Sequence, residues 1–560
     1  MRSLDLADIQ GGLLRAYGRL GFPKARYFFL TVRDGQKGRR FVEAIRPRVT
    51  TASRWEDPRR GELLLRTHHP KVTDAIRATG VSDYPGEVQL LKPKVAINIA
   101  FSFLGLHALD VPVRTLRGMP DEFIDGMEKR AEMLGDTPWF DRRDTIWRDA
   151  SAPGKQVHIM VSMNAEMDPD TGAPTPELDV ETAWLQRLCT ESEGGVELLS
   201  GNGPQNLPYQ EMSAVLRDDN GQKAPSNKEH FQLSDGFGDP VFSGQYGPTA
   251  EKTKQVGGGK LLPDGKTWAP LATGEFLLGY PDEAQEIPDA GMPIEFSRNG
   301  TFMAYRKLHE NVASFQTYMA EQGRLYAAAS GLDAADAQAT VSAKMVGRWD
   351  DGVPLMAAPD VGKWRAFQAK LKAAQIAKDK KTLAAIAAEY VDFTFRPDQT
   401  GATCPMTSHL RRVNTRDTLD PHFTSPDPKS WQGSALNNRR RILRRGLPYG
   451  AVDPAHPTDD GEHGIVFLAV CSSLFRQFEF LQQQWVQYGL DFNVGSDTCP
   501  IVGNHGPEAK YVIPVDPDGA ETPFVCGGVP QFVEPRGGEY FFVPSMTALR
   551  LIGMGIVDPT

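Results

Sequence analysis

Two strand-like apolar runs, each passing straight into a helix start, constrain this chain more than any other feature. Val95-Ala-Ile-Asn-Ile-Ala-Phe-Ser-Phe103 alternates well enough for a strand, and Gly105-Leu-His107 opens a helix directly behind it. In the second half Gly300-Thr-Phe-Met-Ala-Tyr-Arg306-Lys307-Leu does the same, running into a helix near Asn311. Phe103-Leu-Gly-Leu-His107 and Tyr305-Arg-Lys-Leu-His309 echo each other at the two turns. Further strands are predicted at 25–32, 157–163, 274–280, 464–470 and 539–543, and helices from about Arg39, over 182–189 and over 474–488. Leu474, Phe478, Leu481 and Trp485 share one face of the last helix. This mixed order, with no Gly-rich phosphate loop after a strand, excludes a dinucleotide fold and predicts a duplicated α+β unit.

The predicted halves are residues 1–215 and 216–560, with Gly, Pro, Asn and Gln over 200–228 reading as the linker. A helical insertion is predicted over about 316–402. Its Ala/Lys-rich stretch from Trp364 to Tyr390 carries Lys370, Lys372, Lys378, Lys380 and Lys381, a solvated face or a docking arm. The 560 residues have 24% charged and 40% hydrophobic side chains, as ordinary globular proteins do. A net charge of −9 argues against nucleic acid as a partner. Five cysteines, widely spaced and without a CxxC, favour reduced thiols. No apolar run approaches the ~18 residues of a membrane span, and the first residues carry no export signal. The expected location is therefore the cytoplasm.

The chemistry concentrates in Thr403-Cys-Pro-Met-Thr-Ser-His409-Leu-Arg411-Arg412-Val-Asn-Thr-Arg416 and in Arg439-Arg-Arg-Ile-Leu-Arg444-Arg445-Gly446. A bare zinc wants about three protein ligands, and only Cys404 stands near His409. A single imidazole suffices where a macrocycle supplies four nitrogens, as in haem, and arginines would then answer its two carboxylates. The plainer reading makes His409 a satisfied histidine and the arginines solvated. Splitting peroxide at haem needs an axial ligand, a base and a cation. His409 fits the first and Arg444 the third. Asp235, on the Asp-Gly turn of Glu229-His230-Phe-Gln232-Leu-Ser-Asp235-Gly236, is the candidate base, with His230 as its competitor. Asp239-Pro240 reads as the next turn, and His68-His69 as a surface pair. The far nitrogen of His409 should donate to a carboxylate, and Asp497 is the candidate.

Taken together, these residues resemble the dye-decolourising peroxidases, haem enzymes of a duplicated ferredoxin-like, dimeric α+β-barrel fold. The resemblance is carried by Asp8-Ile-Gln-Gly, Ala96-Ile-Asn-Ile-Ala-Phe, Glu229-His-Phe with Asp235-Gly236 and Gly274-Glu-Phe-Leu-Leu-Gly-Tyr. It continues through Ala343-Lys-Met-Val-Gly-Arg-Trp349, Cys404-Pro with His409-Leu-Arg411, Ile442-Leu-Arg444-Arg445-Gly446 and Gly537-Gly-Glu-Tyr-Phe-Phe542. Their order spans nearly the whole chain, and agreement at many independent places is what identifies a fold. The resemblance implies one haem b per chain in the C-terminal half, with His409 as proximal ligand, Asp235 as distal acid–base residue and Arg444 as distal arginine. It also implies that Ile465 and Phe467 narrow the distal space, and it makes Arg411 a haem-propionate partner. Hydrogen peroxide and small or bulky aromatic reductants are the implied partners, with no membrane and with room for a homo-oligomer. Tyr449 and Trp431 are candidate electron relays or packing. The sequence departs from the family at Gln232, where the motif has glycine, at Thr415, where it has proline, and in a long insert around Trp431. A haem-handling protein with incidental peroxidase activity is the alternative.

Overall fold

The computed structural model describes residues 4–53 and 92–555; His68 and His69 lie outside them. Within the described residues the chain builds the same unit twice. The first comprises β1 (Lys24–Val32), α1 (Gly35–Ile45), β2 (Val95–Phe101), β3 (Ile159–Ala165), α2 (Glu177–Glu191) and β4 (Val196–Leu198). Its strands lie in the order β4-β1-β3-β2, all pairings antiparallel. The second has β5 (Thr301–Glu310) leading into α3 (Val312–Ser330). It resumes with β6 (Leu443–Tyr449) and β7 (Gly464–Cys471), then a wide-wound helix over Leu474–Glu479 and Leu481–Val486, then β8 (Val533–Val543). Its order, β8-β5-β7-β6, matches the first strand for strand. This is the ferredoxin-like βαββαβ arrangement, and the α+β expectation holds. The halves join where Phe542 of β8 pairs with Phe101 of β2. No hydrogen-bonded ladder among the described residues closes the sheet into a barrel.

Burial explains why alternation is weak in these strands. Every residue of β1 after Lys24 and every residue of β2 is buried, because both faces of the sheet are covered. Phe28 and Leu30 pack with the α1 side chains Phe41, Val42 and Ile45, while Tyr27 and Phe29 face the opposite layer with Met303, Tyr305, Val466 and Leu468. Asp34 caps α1 through a side-chain bond to the Lys37 N–H.

Two sequence expectations need correction. Residues 274–280 form no strand: Phe276 and Leu277 N–H both bond back to Thr273 in a tight turn. The run is apolar because the turn is buried, with Phe276, Leu277 and Leu278 at or below 1% exposure. Residues 200–228 are not a bare linker, since Gln210–Ser213 pairs with β1 and a hairpin follows over Leu216–Asp219 and Gln222–Pro225. Between β5 and β6, α3 is followed by α4 (Ala334–Val346), α5 (Val361–Ile376) and α6 (Lys380–Glu389). On the last two, Lys370 meets Glu389 at 2.7 Å, while Lys372, Lys378, Lys380 and Lys381 face solvent.

Candidate active site

His409 begins α7 (His409–Val413), a single turn whose approach is fixed by an acidic clamp. Asp398 accepts the N–H groups of Thr403 and Cys404 at 2.9 and 2.8 Å. It also takes Arg411 Nη1 at 2.9 Å, while Arg411 donates to the Cys404 and Asp398 carbonyls at 2.6 Å each. The Arg411 guanidinium is fully buried and stacks on Phe395. Its Nη groups therefore hold the loop that presents His409, and only Nε lacks an acceptor among the described residues, which argues against a haem propionate as its main partner.

The proximal partner is also corrected. Asp497 turns its carboxylate outward to Lys510 Nζ at 2.7 Å. Cys499, two residues on and fully buried, puts Sγ 3.2 Å from His409 Nδ1. Among the described residues Nε2 of His409 makes no hydrogen bond, so the ring has one nitrogen held and one available.

On the facing wall, the loop before Asp235 is knotted by Glu229. Its carboxylate accepts the N–H groups of Phe231 and Leu233 at 2.7 and 2.8 Å, and its carbonyl accepts that of Gln232 at 2.9 Å. Gln232 has φ +67°, in the left-handed region that favours glycine. The departure seen in the sequence therefore falls where the backbone wants glycine. His230 turns away from this wall, placing Nε2 2.9 Å from the Tyr449 carbonyl.

Asp235 is held by Arg444 instead. Arg444 Nη1 donates to Asp235 Oδ1 at 2.7 Å, and its Nη2 to the Phe237 carbonyl at 2.8 Å. The Asp235 side chain is 61% and that of Arg444 32% exposed, though both lie deep in the protein. They line a water-reachable recess. Burial would raise the Asp235 carboxyl. The charge of Arg444, a Gly236 N–H bond and the charge of His409 outweigh it, holding the carboxyl below its usual range.

β6 and β7 supply the rest of the wall. Gly446 pairs with Phe467, Pro448 with Ile465 and Arg444 with Ala469, so Ile465 and Phe467 share the Arg444 face and both are half-buried. A Cβ on Gly446 would meet the Val466 carbonyl at 1.9 Å, and its φ is +119°, so this position requires glycine. Tyr449 lies on the other face, 1% exposed in the inter-layer core beneath Lys307, which argues for packing over electron relay. Trp431 lies outside the strands, stacked under Arg396 with its Nε1 on the Ser425 carbonyl.

Sequence reasoning passed over Cys499, Asp398 and two further arginines. Arg348 is buried against Phe237 of the distal loop, and Arg416 against Phe393 and Trp268. Arg348 Nη2 and Arg416 Nε and Nη2 have no acceptor among the described residues. Burial lowers the Arg348 pKa to about 10, and the like charge of Arg444 adds to the effect. The signal was present in Val346-Gly-Arg348 and Asn414-Thr-Arg416, but nothing local says that a guanidinium is left short of an anion. Unmet buried donors, a one-sided imidazole and a carboxylate–guanidinium pair across a recess together fit haem with its two carboxylates. Among the described residues no three His, Cys, Asp or Glu side chains gather to hold a bare metal ion.

No family model matches the chain. Peroxidase 2 of Mycetinis scorodonius is 25% identical over 570 residues, covering 98% of this chain and 87% of that protein. A dye-decolorizing peroxidase of Exidia glandulosa is 26% identical over 568 residues with the same coverage. The fold agrees with the crystal structure of a fungal DyP-type peroxidase from Auricularia auricula-judae at TM-score 0.66 and 22% identity, over 99% of this chain and all of that one. These relatives and the solved neighbour are peroxidases by name, two of the three of the dye-decolorizing type. Among the described residues no helix is long and apolar enough to cross a membrane.

Proposed function

We propose that this chain is a haem-dependent peroxidase that reduces hydrogen peroxide and oxidises dyes, phenols and other one-electron aromatic donors. The observation that carries the reading is the Arg444–Asp235 pair at 2.7 Å, with His409 near enough for its charge to act on Asp235 and its Nε2 unbonded among the described residues. Haem b, one per chain, would supply the iron that accepts the oxidising equivalents of the peroxide. His409 Nε2 would hold it from one side, and Arg348 and Arg416 carry donors in want of an anion.

The chain's own groups then divide the work. Asp235, ionised because Arg444 stands beside it, takes the proton of the incoming peroxide as general base. The Arg444 guanidinium, charged at every working pH, offsets negative charge on the departing oxygen. Ile465 and Phe467 share the strand face of Arg444, and apolar side chains beside these two groups would favour a small oxidant over a bulky one. Aromatic donors give up electrons one at a time, two per peroxide, and two protons complete the second water.

A haem-handling protein would need His409 and little else, whereas this chain keeps a carboxylate and a guanidinium poised on a recess. Five buried, free cysteines support a reducing compartment, and we assign the cytoplasm. The chain is read as two halves, 1–215 and 216–560, with the haem in the second. The test is peroxide-dependent oxidation of a phenol by the parent and by Asp235→Asn. A fall of about 10²–10⁴-fold is expected from loss of a general base; equal rates in both would favour the haem-handling reading.

A further inference from the structure

His409 Nδ1 meets sulfur, 3.2 Å from Cys499 Sγ, where a carboxylate would ordinarily hold an iron-bound histidine. The contact is built rather than incidental. Cys499 is fully buried, and its backbone is tied at both ends. Its N–H donates to the Val486 carbonyl at 2.7 Å, and its carbonyl accepts from the Gly503 N–H at 3.0 Å and faces His505 Nε2 at 3.0 Å. The segment leading to it is fastened by Arg412, whose guanidinium donates to the carbonyls of Trp485, Tyr488 and Asp497. Arg412 belongs to the same helical turn as His409, so one element fixes both partners of the contact.

We infer that Cys499 is the positioning residue of His409: its sulfur accepts the Nδ1 proton, fixes the ring's rotation, and sets how strongly the imidazole donates to iron. The inference rests on the haem-peroxidase reading above. Sulfur of a thiol is a weaker acceptor than a carboxylate oxygen, so the ring keeps more of its own proton and donates less. This chain therefore has a less basic axial ligand than an aspartate at the same position would give, and a higher ferric/ferrous potential.

The test is made on haem-loaded protein by resonance Raman of the ferrous iron–histidine stretch and by spectroelectrochemistry. Cys499→Asp should move the stretch up in frequency and the potential down. Cys499→Val, which removes the acceptor, should move both the other way, and Cys499→Ser, which keeps one, should stay near the parent. Should the buried aspartate prevent folding, the Val and Ser variants decide the matter alone. A normal Soret band with the stretch and potential of Cys499→Val unchanged overturns this inference and leaves the peroxidase reading standing. A parent protein that takes up no haem overturns both.

Discussion

Replacing Arg444 with leucine removes the cation from the distal pair while leaving its strand intact, since its backbone remains paired in β6. Two effects follow from the geometry. Arg444 donates one charge-assisted bond to Asp235 at 2.7 Å and one bond to the Phe237 carbonyl at 2.8 Å, so it both charges the recess and orients the base. Loss of one donor aimed at developing negative charge costs about 10²–10³ in rate, and that fall is expected in the reaction with peroxide. The second effect is on pH. Among the influences on Asp235, burial raises the pKa and the charge of Arg444 is the largest opposing one. Without it the carboxyl protonates at higher pH, so the acidic limb of the rate profile moves upward. Stopped-flow mixing with peroxide across pH, on parent, Arg444→Leu and Arg444→Lys, reads both effects, and lysine should recover the limb better than the rate because it cannot fork. A loss smaller than tenfold with an unmoved acidic limb would refute the role given to this arginine.

Asp235 has a depressed pKa in the fold, so it stays ionised as pH falls and the parent should work at mildly acidic pH. A peroxide rate that collapses near ~6.5, where an unperturbed histidine charges, would contradict Asp235 as the base. Arg306 forks onto Asp136 with both bonds at 2.7 Å and both side chains almost wholly buried. Arg306→Met should cost about 3–5 kcal/mol by stranding a buried carboxylate, read by denaturant unfolding. Pairing it with Asp136→Leu should restore most of that loss. Gln232→Gly should stabilise the fold by about 1 kcal/mol, because a left-handed non-glycine residue costs roughly 1–2 kcal/mol and glycine gives part of it back as chain entropy; a lower unfolding midpoint would contradict this.

Some of the site was legible because its determinants are local. His409 and Asp235 each sit in a short run whose chemistry is self-contained, and Arg444 follows from the need for a cation. The pairing of Ile465 and Phe467 with the Arg444 face follows from strand register. The proximal partner was missed by two residues, Asp497 for Cys499. Which side chain of that loop faces inward is decided by backbone bonds to Val486, Gly503 and His505, none of which belongs to a motif. Arg411 was misread because its partner, Asp398, lies in a loop that sequence alone does not bring near. The strand over 274–280 was misread because burial, and not pleating, made the run apolar.

The central claim is that one imidazole, His409, holds haem opposite Asp235 and Arg444. It is tested most directly by titrating haem into the purified parent and His409→Ala and following the Soret band. The account predicts a sharp band saturating at one haem per chain in the parent and no comparable band in the variant. Equal bands in both, or none in the parent, would contradict it.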